Sequence, residues 1–205
     1  MTPMIKVAIT GGIGSGKSYV SKILTERYQI PVYNADDEAK RLMVSNGVIR
    51  SELIKLLGPD AYHADGSLNK PLLSSYLFSL PEHVNQINGI VHPQVRSDFY
   101  EWADSQSKKG YPIVAIESAI LYEAKFEDTV DDVIMVYAPI SLRLKRAMAR
   151  DGATASQIRS RMRQQLADSV KKKKARFVIY NDERHDLGKQ IEEVVTTLRN
   201  EKMND

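Results

Sequence analysis

The sequence predicts an α/β fold in three layers, with a parallel sheet between helices, a helical insertion and an arginine-rich pair of helices. Three observations predict it. Short apolar runs at Ile5 to Thr10, Ile30 to Tyr33, Tyr111 to Ile116, Val133 to Tyr137 and Phe177 to Tyr180 alternate with helical periodicity, as strands buried on both faces should. The first run leads directly into Gly11-Gly12-Ile13-Gly14-Ser15-Gly16-Lys17-Ser18, which reads G-x-x-x-x-G-K-S. No strand signal interrupts the stretch from roughly 38 to 109, too long and too helical for a simple crossover.

That glycine-rich stretch is a phosphate-binding loop. Glycines let successive backbone N–H groups curl inward around phosphate oxygens, and the following helix points its positive end at the same place. Lys17 adds a mobile cation for the β- and γ-phosphates, and the Ser18 hydroxyl is placed to ligate Mg²⁺.

The first helix should run from the loop to about Tyr28. The second strand then delivers Asn34-Ala35-Asp36 at its carboxyl end, the end that borders the ligand crevice in an open α/β sheet. Asp36, Asp37 and Glu38 also occupy the first turn of the next helix, where the dipole favours acids, so capping and a role in the site are both open for Asp36. Glu38 to Leu57 has helical periodicity up to Gly58-Pro59. Asp65-Gly66 marks a turn, and Leu68, Leu72, Leu73, Leu77 and Leu80 recur at helical spacing.

Pro81 and Pro93 each suit a first helical turn, which predicts short helices over about 81–89 and 93–109. His92, just before Pro93, is then either a helix cap or a ligand-facing group. Glu117 closes the third strand, where a carboxylate opposite a phosphate loop suggests Mg²⁺ or its water shell; capping is the alternative. Pro139 starts a helix bearing Arg143, Lys145, Arg146 and Arg150.

Thr154-Ala155-Ser156-Gln157 has capping-box spacing and opens another helix, with Arg159, Arg161 and Arg163. Two arginine-rich helices joined at Asp151-Gly152 read as a hinged cover bringing guanidinium groups onto phosphates, or as two solvated faces. Lys171 to Lys174 reads as solvated surface without a role. Leu187 to Leu198 closes the chain as an amphipathic helix. The expected organisation is a single domain: a core over about 1–37, 110–138 and 175–205, an insertion over about 38–109 and a lid over about 139–174.

Composition bounds the function. A chain of 205 residues holds one substantial core, and 42% apolar with 27% charged residues is ordinary for a globular protein. The net charge of +3 is too balanced to argue for nucleic acid but suits an anionic small ligand. Cysteine is absent, which excludes disulfides and thiolate zinc sites. A phosphate loop beginning at residue 11 leaves no room for a signal peptide ahead of it, and no apolar run approaches the roughly eighteen residues of a membrane span. The expectation is a cytoplasmic protein.

Among phosphate-loop proteins, a guanine-nucleotide switch should carry Asn-Lys-x-Asp, yet Asn69-Lys70 continues Pro-Leu. An ATP-driven machine normally needs a longer chain and a neighbour's arginine. A kinase needs a phosphate loop, an acid near the acceptor hydroxyl, a covering insertion and a basic lid, and all four have candidates here.

Residues 8–18, Asn34-Ala35-Asp36, Asp65-Gly66-Ser67-Leu68, Ile87-Asn88 through His92-Pro93, Ala119-Ile120-Leu121-Tyr122-Glu123 and Arg146 to Gly152 resemble the dephospho-CoA kinase family, in family order from about 5 to 182. The resemblance implies a kinase fold of the phosphate-loop type and transfer of the ATP γ-phosphate to the ribose 3′-hydroxyl of dephospho-CoA, the last step of coenzyme A biosynthesis. It implies ATP with Mg²⁺ and dephospho-CoA as partners; with the balanced charge and the short apolar runs, the expectation is no nucleic acid, no membrane, and a monomer or weak homo-oligomer.

Asp36 then matches the aspartate that positions or deprotonates the attacking hydroxyl, and Arg150 a lid arginine that neutralises phosphates; with Lys17 these form the implied catalytic set. ATP would be held by Gly12, Ile13, Gly14, Ser15, Gly16, Lys17, Ser18 and Tyr19, with adenine near Arg150 and the Asn181 turn. Thr10, Asp36, His92, Leu121, Glu123 and Arg161 would border dephospho-CoA. Ser18, and in second place Glu117, would serve the metal. Two positions depart from the family pattern: Asn34 stands for the first acid of Asp-Ala-Asp, and Ala119 for a proline.

Overall fold

The computed structural model describes residues 4–204, with side chains through 201. Its strands are β1 (Ile5–Thr10), β2 (Val32–Asn34), β3 (Ile113–Glu117), β4 (Asp132–Tyr137) and β5 (Phe177–Tyr180). Its α-helices are α1 (Lys17–Tyr28), α2 (Ala35–Ser45), α3 (Gly47–Leu57), α4 (Lys70–Ser79), α5 (Pro81–Lys108), α6 (Ile140–Asp151), α7 (Ala155–Arg163), α8 (Asp168–Lys174) and α9 (Leu187–Asn204). The chain forms two compact units, Met1–Asn34 with Trp102–Asp205, and Ala35–Glu101.

In the first unit, all strand pairs are parallel and the order is β2-β3-β1-β4-β5. Alternate residues explain why the strands are almost wholly apolar. Val7, Ile9, Ile113, Ala115, Ile134, Val136 and Ile179 join one cluster with Val20 and Leu24 of α1 and Ile191, Val194, Val195 and Leu198 of α9. Their neighbours Ala8, Thr10, Val114, Ile116 and Met135 point the other way and are also buried, so the sheet is covered on both faces. β1 lies between β3 and β4, so its carboxyl end opens at the point where strand order reverses, the usual ligand position in such sheets.

The second unit departs from the sequence expectation. A single helix over 38–57 is replaced by α2 and α3, because Asn46 leaves helical geometry (φ −88°, ψ 120°) and its side chain accepts the N–H groups of Val48 and Ile49 at 2.9 and 3.0 Å. Inside this unit the Arg41 guanidinium holds both Asp98 carboxylate oxygens at 2.7 Å, and the Tyr62 hydroxyl donates to the Met43 carbonyl at 2.6 Å.

The two short helices expected after Pro81 are instead the single helix α5, with Pro93 in its interior. The apolar stripe Ile87, Val91, Val95 and Phe99 is buried at four-residue spacing, while Pro93 and Gly89, four residues earlier, face outward. The hydrogen bond that Pro93 cannot make would have ended on the Gly89 carbonyl, which lies on the exposed side where water can take it. Burial of the stripe therefore outweighs the proline.

Candidate active site

The loop begins where β1 ends. Gly14 and Gly16 have φ of +77° and +95°, which L side chains avoid. Neighbours crowd these positions as well: a Cβ on Gly14 would strike the Arg143 backbone carbonyl, and one on Gly12 or Gly16 would have to displace the Arg143 guanidinium or the Asn181 amide. The Ser15 N–H donates to the Gly12 carbonyl at 3.1 Å, and α1 starts with Gly16 as its N-cap.

Lys17 is 9% exposed and its ammonium donates to the Gly11 carbonyl at 3.1 Å. The Ser18 hydroxyl donates to Glu117 Oε1 at 2.7 Å. Glu117 is buried at the carboxyl end of β3, in register with Ile9 of β1 and Asn34 of β2, so the two residues expected to serve a metal are joined.

The site fits a phosphate ester. Thr10 Oγ1 and Ser15 Oγ are buried with no hydrogen-bond partner among the described residues, and an unsatisfied buried hydroxyl costs about 1–3 kcal/mol. Phosphate oxygens would accept from both. Among the described residues no group of three or more His, Cys, Asp and Glu is gathered for a metal. A Mg²⁺ ion carried mainly by phosphates and water needs no such cage, and Ser18 with Glu117 suits it.

Asn181 donates from its side-chain amide to the Ser15 carbonyl at 2.9 Å, and its own carbonyl accepts from the Arg146 guanidinium at 3.0 Å. The guanidinium docked on the Asn181 turn is thus that of Arg146. Arg150 instead pairs with its neighbour Asp151 at 2.7 Å, and Arg161 reaches the same carboxylate at 3.1 Å. The hydrogen bond from Arg150 holds that carboxyl below its ordinary range. Beside the Asn181 turn, a cavity of about 640 Å³ is lined by Pro139, Ser141, Leu142, Lys145 and Asp182 to Arg184.

Other expected residues are placed less directly. Tyr19 is exposed on α1. Leu121 is fully buried, so its side chain presents no surface here. Glu123, exposed in the turn after β3, accepts the Leu166 N–H at 2.6 Å and pairs with Lys171 at 3.0 Å. Asp36 is exposed in the first turn of α2, two residues past the end of β2. His92 is half-buried in α5, where burial and then the Arg96 charge push its pKa below 6.5.

The contacts of three side chains, two of them on the phosphate loop and the third behind Ala119, escaped sequence reasoning. Arg143 is buried, donates from Nε to the Ile13 carbonyl at 2.9 Å and pairs with Asp168. Gln165 accepts the Ile13 N–H at 2.9 Å. Lys171, read as solvated, is fully buried: it donates to the Ala119 carbonyl at 2.8 Å besides pairing with Glu123. For Arg143 a signal existed, since Arg143 and Ala147 recur at four-residue spacing and form the buried side of α6.

A family model described as dephospho-CoA kinase matches residues 5–186. A dephospho-CoA kinase of Bacteroides fragilis is 47% identical over 194 residues, 95% of this chain and 93% of that protein. One of Porphyromonas gingivalis is 42% identical, covering 98% of both chains. Among solved structures, TT1252 from Thermus thermophilus superposes with a TM-score of 0.78 at 31% identity, over 97% of both chains. A shikimate kinase from Acinetobacter baumannii, at 14% identity and a TM-score of 0.56, shares the fold over 98% of this chain and 96% of its own. With a family model matching residues 5–186 and a 47% identical relative covering 95% of the sequence, the chain belongs to the dephospho-CoA kinase family.

Proposed function

We propose that this chain transfers the γ-phosphate of ATP to the 3′-hydroxyl of the ribose of dephospho-CoA, giving coenzyme A. The observation that carries this reading is the family match across residues 5–186 of a chain whose phosphate loop holds Gly11, Gly14 and Gly16 at φ values that favour glycine.

Phosphoryl transfer leaves a protein little covalent work, so catalysis is positioning and charge neutralisation. The loop amides and the α1 N-terminus would bind the polyphosphate, with Lys17 leaving the Gly11 carbonyl to meet the β- and γ-phosphates. Ser18 and Glu117 would hold Mg²⁺, which supplies charge neutralisation at the phosphates. Asp36 would orient the acceptor hydroxyl or take its proton. Arg150 and Arg161, both now on Asp151, would swing from it onto the phosphates as the lid over α6 and α7 closes. Adenine would lie near Arg150 and the Asn181 turn, on which Arg146 is docked.

The test offers ATP and Mg²⁺ with dephospho-CoA, pantetheine derivatives, nucleosides or shikimate, and weighs the product. Turnover confined to dephospho-CoA, with one phosphate added on the ribose, is expected. Turnover with another acceptor alone, or tight ATP binding without transfer, would overturn the reading.

A further inference from the structure

Ile13, at the crown of the phosphate loop, has both of its backbone polar groups taken by distant side chains. Its N–H donates to Gln165 Oε1 and its carbonyl accepts from Arg143 Nε, each at 2.9 Å. In a trans peptide the C=O and N–H point opposite ways. The Gly12 carbonyl, in the same peptide as the Ile13 N–H, therefore turns away from Gln165, and there it accepts the Ser15 N–H at 3.1 Å. By the same geometry the Gly14 N–H is turned away from Arg143.

Both arms of this grip are themselves anchored. Arg143 is 4% exposed and pairs with Asp168. The Gln165 amide donates to the Ala119 carbonyl at 3.3 Å, an acceptor shared with the buried Lys171 ammonium. The loop's shape is thus set by residues well outside its own motif.

We propose that Gln165 and Arg143 are positioning residues that preset the loop for a polyphosphate by fixing the two peptides on either side of Ile13. Donors already oriented need no ordering when the ligand arrives, so the gain falls on nucleotide affinity. Gln165, only half-buried, is the arm that can be removed with the fold intact. The proposal rests on the nucleotide half of the proposed function and is independent of the acceptor.

The experiment is calorimetric titration of ADP without acceptor, together with amide hydrogen exchange at Ile13. Gln165→Ala should weaken ADP binding roughly tenfold, the scale of lost preorganisation, and speed Ile13 exchange by a similar factor with Tm nearly unchanged. Gln165→Glu keeps an oxygen for the Ile13 N–H but puts oxygen against the Ala119 carbonyl; it should retain Ile13 protection. Should Gln165→Ala fail to fold, Gln165→Asn, too short for Ile13, carries the same expectation. ADP affinity within twofold of the parent in the alanine variant overturns the proposal, as does loss of Ile13 protection in the glutamate variant. Because no acceptor is present, failure of dephospho-CoA turnover would leave this result standing, and the reverse.

Discussion

The Ser18 hydroxyl and the Glu117 carboxylate meet at 2.7 Å, tying the first turn of α1 to the carboxyl end of β3. If this pair holds Mg²⁺ beside the phosphates, Glu117→Gln should raise the Mg²⁺ concentration for half-maximal rate roughly tenfold, as lost supporting groups at metal sites do. Titration of rate against Mg²⁺ at saturating ATP checks it; an unmoved midpoint would leave Glu117 as an anchor for Ser18 alone.

Lys17 supplies a cation that no other loop residue can replace. Lys17→Ala should lower kcat by at least about a hundredfold, typical for a lost electrostatic stabiliser, while circular dichroism stays that of the parent. A drop under tenfold would move the charge neutralisation to other residues.

Asp36→Asn should also lower kcat by about a hundredfold, the range for lost acid–base groups, with ATP affinity preserved. Single-turnover rates alongside ATP titration separate the two quantities, and near-parent turnover would remove Asp36 from the chemistry.

Lys171→Met takes away the buried partner of a half-exposed pair, leaving the Glu123 carboxylate to water and the Leu166 N–H, and the Ala119 carbonyl to Gln165. The cost should be about 1–3 kcal/mol. For a chain of this size that lowers Tm by roughly 2–12 °C, readable by scanning calorimetry.

His92 gives stability a pH dependence of known sign. Its folded pKa lies below the ordinary 6.5 because burial, and then Arg96, disfavour the charged ring. The unfolded chain therefore binds the proton first, so this contribution is complete above about pH 6.5 and shrinks as pH falls through the lower folded value. Between pH 7.5 and 5.5, His92→Gln should lose less Tm than the parent. Equal losses would assign the acid sensitivity elsewhere.

The sheet and the loop were legible because their signals are local: five apolar runs and one spacing of glycines. The break at Asn46 and the continuity through Pro93 were not. An asparagine inside a helical pattern announces a cap only when its side chain turns back, and Pro93 is tolerated because of which face of α5 it occupies. Lys171 was illegible for a different reason. Nothing in a run of four lysines tells which one has a carboxylate waiting, and Glu123 lies in a turn far earlier in sequence. The grip on Ile13 likewise joins residues 130 and 152 positions apart.

The central place of β1 has a consequence for the birth of the protein. Its partners β3 and β4 begin at Ile113 and Asp132, and the amide that braces Ser15 comes from Asn181. The nucleotide grip, although encoded over residues 11–18, cannot be completed until Asn181 has left the ribosome. Before Ile113 emerges β1 waits with both edges open, the stage at which a nascent strand most needs shielding.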